Sequence, residues 1–86
     1  MICKVRVEVR LKPGFHDPEG MTVKSCLQDL GIKSVVNVES GRIYYLYIDC
    51  SAPEEARKIA EIACEKLLTN PVKDTYTIDV LECRES

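Results

Sequence analysis

The chain opens on strict alternation. Cys3, Val5, Val7, Val9 and Leu11 point one way, and Lys4, Arg6, Glu8, Arg10 and Lys12 the other. A period of two with β-branched residues predicts a strand with one buried and one wet face. Pro13 and Gly14 break this ladder. Asp17 before Pro18 predicts a helix start. The aspartate accepts from the first free N–H groups, and a proline at the first helical position loses no needed donor. Val23, Cys26, Leu27 and Leu30 then recur at helical spacing as one apolar face, and Gly31 suits a left-handed C-terminal cap. Gly20, inside the first turn, weakens this start.

Val35 to Glu39 is a short β-prone run. With a turn around Ser40 and Gly41 and a strand from Arg42 to Cys50, it predicts a β-hairpin. The second arm is apolar on both faces: Tyr44, Leu46, Ile48 and Cys50 on one, Ile43, Tyr45 and Tyr47 on the other. Such a strand is expected to be covered on both sides. The first strand is wet on its outer face, so the extra cover is expected from another chain. Ser51 and Glu54 read as a capping box. Ala56, Ile59, Ala60, Ala63 and Leu67 follow at helical spacing, and Asn70-Pro71 stops the helix. Thr75 to Cys83 alternates again, with Tyr76, Ile78 and Val80 toward the core.

The order β-α-β-β-α-β predicts an α+β fold. It is a ferredoxin-like sandwich with a four-stranded antiparallel sheet and both helices on one face. A length of 86 residues predicts one domain, 1–86, with a modest core that favours association. Ile43, Tyr45 and Tyr47 are expected at a homodimer interface on the open sheet face, because aromatic residues are enriched at interface centres.

Composition narrows the function. The formal net charge is −2, and no basic excess invites nucleic acid. The tyrosines lack the basic groove that a base-stacking platform needs. No run approaches the roughly 18 apolar residues of a membrane span. The N-terminus MICKVRVEVR lacks the order of a signal peptide, so a cytoplasmic location is expected. Cys3, Cys26, Cys50, Cys64 and Cys83 are widely spaced, form no CxxC or CxxH pair, and read as reduced apolar filler.

A search for catalytic parts finds little. His16 is the one histidine, and phosphate-loop and Gly-x-Ser-x-Gly motifs are missing. His16 beside Asp17 would make a base–orienter pair, but capping already accounts for Asp17. No catalytic residue, metal ligand or cofactor is predicted.

LKPGFHDPEG, followed by an amphipathic segment ending in Leu30-Gly31, Gly41 in the predicted hairpin and CEKLLTNPVKDTY near the end, resembles the PurS family. That family is the small subunit of phosphoribosylformylglycinamidine synthase in purine biosynthesis. The resemblance covers nearly the whole chain. Its marks are Lys12, Gly14, Asp17, Pro18, Gly20, Leu30, Gly31, Gly41, Cys64, Leu67, Leu68, Asn70, Pro71 and Tyr76. The chain departs from the family pattern at Glu39, Tyr45 and Lys73, which bears on the outer sheet face and the partner surface.

The resemblance implies a non-catalytic assembly subunit. It would join a large ATP-using synthetase subunit to a glutaminase subunit, so that ammonia passes between them as formylglycinamide ribonucleotide becomes formylglycinamidine ribonucleotide. It implies a dimer, with a tetramer open in isolation. Lys12, His16, Asp17, Asn70 and Pro71 are the expected contacts with the partner subunits. Two other readings stand beside it: a small-molecule-binding regulatory module with a ferredoxin-like fold, and a small enzyme using His16 and Asp17.

Overall fold

The computed structural model describes residues 1–85. The elements run β1 (Ile2–Leu11), α1 (Pro18–Asp29), β2 (Gly41–Asp49), α2 (Pro53–Ala63), a π-helical turn (Cys64–Leu68) and β3 (Asp74–Arg84). The sheet has three strands in the order β2-β1-β3, antiparallel throughout. The expected four-stranded sheet and its hairpin are therefore not formed, and the order is β-α-β-α-β.

Val35 to Glu39 accounts for the missing strand. This run returns alongside α1 and is held by the helix instead of a ladder. Gln28 Nε2 donates to the Val35 carbonyl at 3.1 Å. At the far end Asp17 accepts from Ser40 N at 2.7 Å and from Ser40 Oγ at 2.6 Å. Ser40 is thus bound to the helix cap, and Gly41 begins β2 opposite Arg10.

The alternation of β1 folds as its pattern demands. Cys3, Val5, Val7 and Val9 are buried, and with Ile48, Cys50, Ala56, Ala60, Cys64 and Ile78 they form the core. The α2 helix lays Ala56 and Ala60 onto this face, and Cys64, four residues on at the start of the π turn, continues the row. Small residues there let the helix approach the sheet closely. The helix starts one residue later than a Ser51–Glu54 box requires. Ala52 is the N-cap, and Ser51 Oγ donates to Glu55 Oε2 at 2.6 Å. The π turn then changes the helical phase, so that Leu67 is exposed and Leu68 packs against the core. Thr69 ends the turn, with its N–H and hydroxyl both donating to the Cys64 carbonyl.

Strict alternation along β3 fails at one place. The β1–β3 register pairs Val5 with Val80 but Lys4 with Glu82, so Leu81 is an extra, bulged residue. The bulge brings Cys83 opposite Cys3, and the two are joined in a disulfide spanning 80 residues of sequence. Reduced filler therefore describes Cys50 and Cys64, which are free and buried. It does not describe Cys3 and Cys83, nor Cys26, which is free and exposed.

The α1 helix is well formed but placed apart. Asp17 caps it, accepting from Gly20 N at 2.9 Å, and Pro18 sits in its first turn. It ends in a Schellman motif. Gly31, at φ +92°, donates to the Gln28 carbonyl, and Ile32 donates to Leu27. A side chain at Gly20 would place its Cβ 2.5 Å from the Val38 carbonyl and 2.7 Å from Asp17 Oδ2. Glycine at that position admits the return segment and does not merely weaken the helix. Beyond this segment α1 barely touches the sheet or α2. Only α2 covers the sheet, contrary to the expected pair of helices on one face. The molecule is elongated, 50 × 26 × 14 Å. Its radius of gyration is 16.6 Å, against about 12 Å for a compact chain of this length.

Candidate docking surfaces

Two surfaces carry the residues expected to meet partners, and a third emerges from the fold. The first is the corner where β1 leaves the sheet. Lys12 is fixed there from both ends: its N–H donates to the Lys73 carbonyl at 2.7 Å, and its Nζ donates to the Pro71 carbonyl at 3.1 Å. Asn70 shapes the facing turn. Its Oδ1 accepts from Val72 N at 2.9 Å, its carbonyl accepts from Asp74 N, and its N–H donates to Asp74 Oδ2. Lys12, Asn70 and Pro71 are thus brought together although 59 residues separate Lys12 from Pro71.

Asp17 and His16 stand nearby in a different role. Asp17 spends both oxygens on Ser40 and Gly20, and these bonds hold its carboxyl below its ordinary pKa. The Ser40 hydroxyl is the largest cause, and the nearby His16 adds a small electrostatic contribution. Among the described residues no hydrogen bond joins His16 to Asp17, and His16 is exposed. Capping of α1 and the clasp on Ser40 thus account for Asp17 without a catalytic role. Both residues line an open cleft of about 680 Å³ between β1 and the arm formed by α1 and its return segment, together with Arg10, Lys12, Phe15 and Arg42.

The second surface is the outer sheet face. Ile43, Tyr45 and Tyr47 are exposed in a row on β2, opposite Glu8, Arg6 and Lys4. Lys4 Nζ lies 5.0 Å from the Tyr45 ring centroid and 5.9 Å from that of Tyr47. The neighbouring strands carry ion pairs on this face, with Arg6 3.8 Å from Glu8 and 3.9 Å from Asp79. The face is therefore aromatic along β2 and charged along β1.

The third surface was not expected. Met21 and Val23 on α1, Leu30 at its C-cap, Ile32 just beyond it and Val36 on the return segment are exposed, Leu30 by 77%. The spacing of Val23, Leu27 and Leu30 shows an apolar face, but spacing does not say what covers it. Among the described residues, no group of three or more His, Cys, Asp or Glu is placed to hold a metal ion, and no buried side-chain polar atom lacks a partner. Burial raises the pKa of the Cys64 thiol and of Tyr76, with Glu65 and Glu61 adding to each. Among the described residues no helix is long and apolar enough to cross a membrane.

Comparison with known proteins gives a consistent result. Residues 4–82 match the family model described as PurS: Phosphoribosylformylglycinamidine (FGAM) synthase. The chain is 44% identical over 79 residues to the phosphoribosylformylglycinamidine synthase subunit PurS of Archaeoglobus fulgidus, covering 91% of this chain and 95% of that one. It superposes on the crystal structure of Methanocaldococcus jannaschii PurS, one of the subunits of formylglycinamide ribonucleotide amidotransferase. The TM-score is 0.84 at 33% identity, covering 98% of this chain and all of that one. It also matches a chain in the structure of PurLQS from Thermotoga maritima, with TM-score 0.85 and 28% identity over 94% of this chain and 99% of that one. The family match across residues 4–82 and the identity to a PurS subunit over most of both chains show one family: the chain belongs to the PurS family of phosphoribosylformylglycinamidine synthase.

Proposed function

We propose that this chain is a non-catalytic assembly subunit of a cytoplasmic phosphoribosylformylglycinamidine synthase, acting over 1–86 as one PurS-like domain. It joins the large synthetase subunit to the glutaminase subunit, so that ammonia released from glutamine reaches formylglycinamide ribonucleotide. The observation that carries this reading is the match, across nearly the whole chain, to a chain of the PurLQS structure. The fold supports it, because its surface is made of faces that need partners. Holding two active sites together raises the effective concentration of the transferred intermediate without new chemistry.

The chain acts as a dimer on this reading. Its accessible surface is 6171 Å², about 1,000 Å² above the roughly 5,100 Å² of a compact monomer of its mass. That excess is the size of one partner's share of a standard interface, about 800 Å². The apolar row of α1 and the β2 row Ile43, Tyr45 and Tyr47 are the faces a second copy would cover. Lys12, Asn70 and Pro71, with His16 and Asp17 on the adjoining cleft, remain for the larger subunits.

Sedimentation of the chain alone and co-elution with the two larger subunits test this reading. A dimer, or a tetramer in their absence, that joins a three-subunit complex is expected. A chain that stays monomeric at high concentration and elutes apart from both subunits would refute it.

A further inference from the structure

Three of the five sulfurs meet at one end of the sheet. Cys3 lies on the central strand, Cys83 faces it from β3, and Cys50 follows β2 on the other side. The end of β2 is pinned there. Cys50 N donates to the Met1 carbonyl at 2.9 Å, and the N-terminal amine donates back to the Cys50 carbonyl at 2.9 Å. Cys3 and Cys83 share a disulfide, while Cys50 is a free thiol. The Cys50 sulfur lies 3.5 Å from the Cys3 sulfur, and both residues are buried.

We propose that Cys3, Cys50 and Cys83 form a thiol–disulfide exchange centre in which Cys3 is the shared sulfur of two mutually exclusive bridges. In the exchange, Cys50 gives up its proton and its thiolate attacks Cys3 Sγ. A Cys50–Cys3 bond forms, and the Cys3–Cys83 bond breaks with its electron pair leaving on Cys83 Sγ. Cys83 then takes up a proton. One bond replaces another of the same kind, so neither oxidant nor reductant is consumed. A separation of 3.5 Å is at the edge of near-attack distance, so the approach needs little movement.

The topology favours reversibility. The present bridge spans 80 residues and the alternative 47. Closure entropy grows only with the logarithm of loop length, so it scarcely separates the two. Their structural effects do differ. Cys3–Cys83 ties β1 to the last strand next to its bulge. Cys3–Cys50 would tie β1 to the junction of β2 and α2 and release the end of β3. The centre is independent of the proposed assembly role, because it requires no partner subunit.

The test uses the full-length chain, purified without reductant and held at about pH 8.5, near the ordinary thiol pKa. Exchange is stopped with acid, free thiols are blocked with a maleimide, and peptic peptides are mapped by mass spectrometry. The wild-type chain is expected to yield both Cys3–Cys83 and Cys3–Cys50 peptides, with the label divided between Cys50 and Cys83. Cys50→Ser is expected to lose the Cys3–Cys50 peptide, and Cys83→Ser to retain it as its sole bridge. A wild-type map with Cys3–Cys83 alone, with no bridge, or with Cys50–Cys83 in place of Cys3–Cys50 overturns the proposal. That reading comes from unmutated protein, so misfolding of a variant does not obscure it.

Discussion

The two helices of this chain make an instructive pair. Both begin with a proline in the first turn and carry an apolar stripe, yet they end in opposite situations. The α2 helix buries Ala56 and Ala60, and the π turn after it Cys64, against three strands. The α1 helix buries only Gly20, which lies against its own return segment. The sheet and α2 are held by burial. The arm is held by local bonds: the Asp17 cap, the Gly31 Schellman turn, and the clasps at Ser40 and Gln28. A segment with good local structure and an unpartnered apolar face is suited to being covered by another chain.

The largest contrast is expected from two substitutions. Val7→Ala should cost the body about 2 to 3 kcal/mol, through lost burial and a residual cavity, read as a lower denaturation midpoint. Leu30→Asp should leave the midpoint of the dilute monomer almost unchanged, but weaken self-association by more than about tenfold, near 1.4 kcal/mol, in sedimentation equilibrium. Equal losses of monomer stability from both would erase the distinction between body and arm.

Gly20→Ala should act on the arm alone. Its Cβ meets the Val38 carbonyl and Asp17, so the return segment must move away. Amide exchange across residues 18–40 should accelerate while β1 and β3 keep their protection. Simultaneous loss of protection in both regions would show that the arm is part of the body's cooperative unit.

The arm should also respond to acid. Asp17 has a folded pKa below its ordinary value, chiefly through the Ser40 hydroxyl. A depressed carboxylate stabilises the fold fully above the unfolded pKa, and this contribution is lost as pH falls through the folded value. The Gly20 and Ser40 amide resonances should therefore titrate together below the ordinary carboxylate range. If they do not move there, the cap is not what holds the arm. Glu55 is depressed in the same direction by Ser51 at the start of α2. Its loss should affect the body less, since burial holds α2.

The smallest effect on the monomer is expected at Tyr45→Ala. An exposed cation–π contact with Lys4 contributes about 0.5 to 1 kcal/mol. Because this row is a proposed self-interface, a further loss that grows with protein concentration is expected, and its absence would remove the row from that interface.

The sequence was most legible where one residue type fixes one local geometry. Alternation placed β1 and both faces of β2. Asp17-Pro18 and Gly31 bounded α1, and Asn70-Pro71 marked the exit from α2. Each failure has a longer-range cause. Val35 to Glu39 has strand propensity, but Ser40 at its end is claimed by an aspartate 23 residues earlier. The bulge at Leu81 and the π turn at Cys64 change phase within a periodic run, and so hide Cys83 and Leu68 from any fixed spacing. The candidate docking corner was partly legible. Lys12 and Pro71 do meet and Asp17 does cap α1, but the apolar face through Val23 and Leu30 gave no sign that the sheet would leave it uncovered. An apolar stripe marks a face suited to cover, without recording which chain would supply it.

The central claim is that the chain assembles an enzyme and supplies no chemistry. The most direct test is the rate of formylglycinamidine ribonucleotide formation by the large synthetase and glutaminase subunits, with and without this chain. Glutamine and free ammonia would serve in turn as the nitrogen source. The account predicts that the chain restores the glutamine-driven rate and leaves the ammonia-driven rate nearly unchanged. Equal change in both rates, or change in neither, would contradict it.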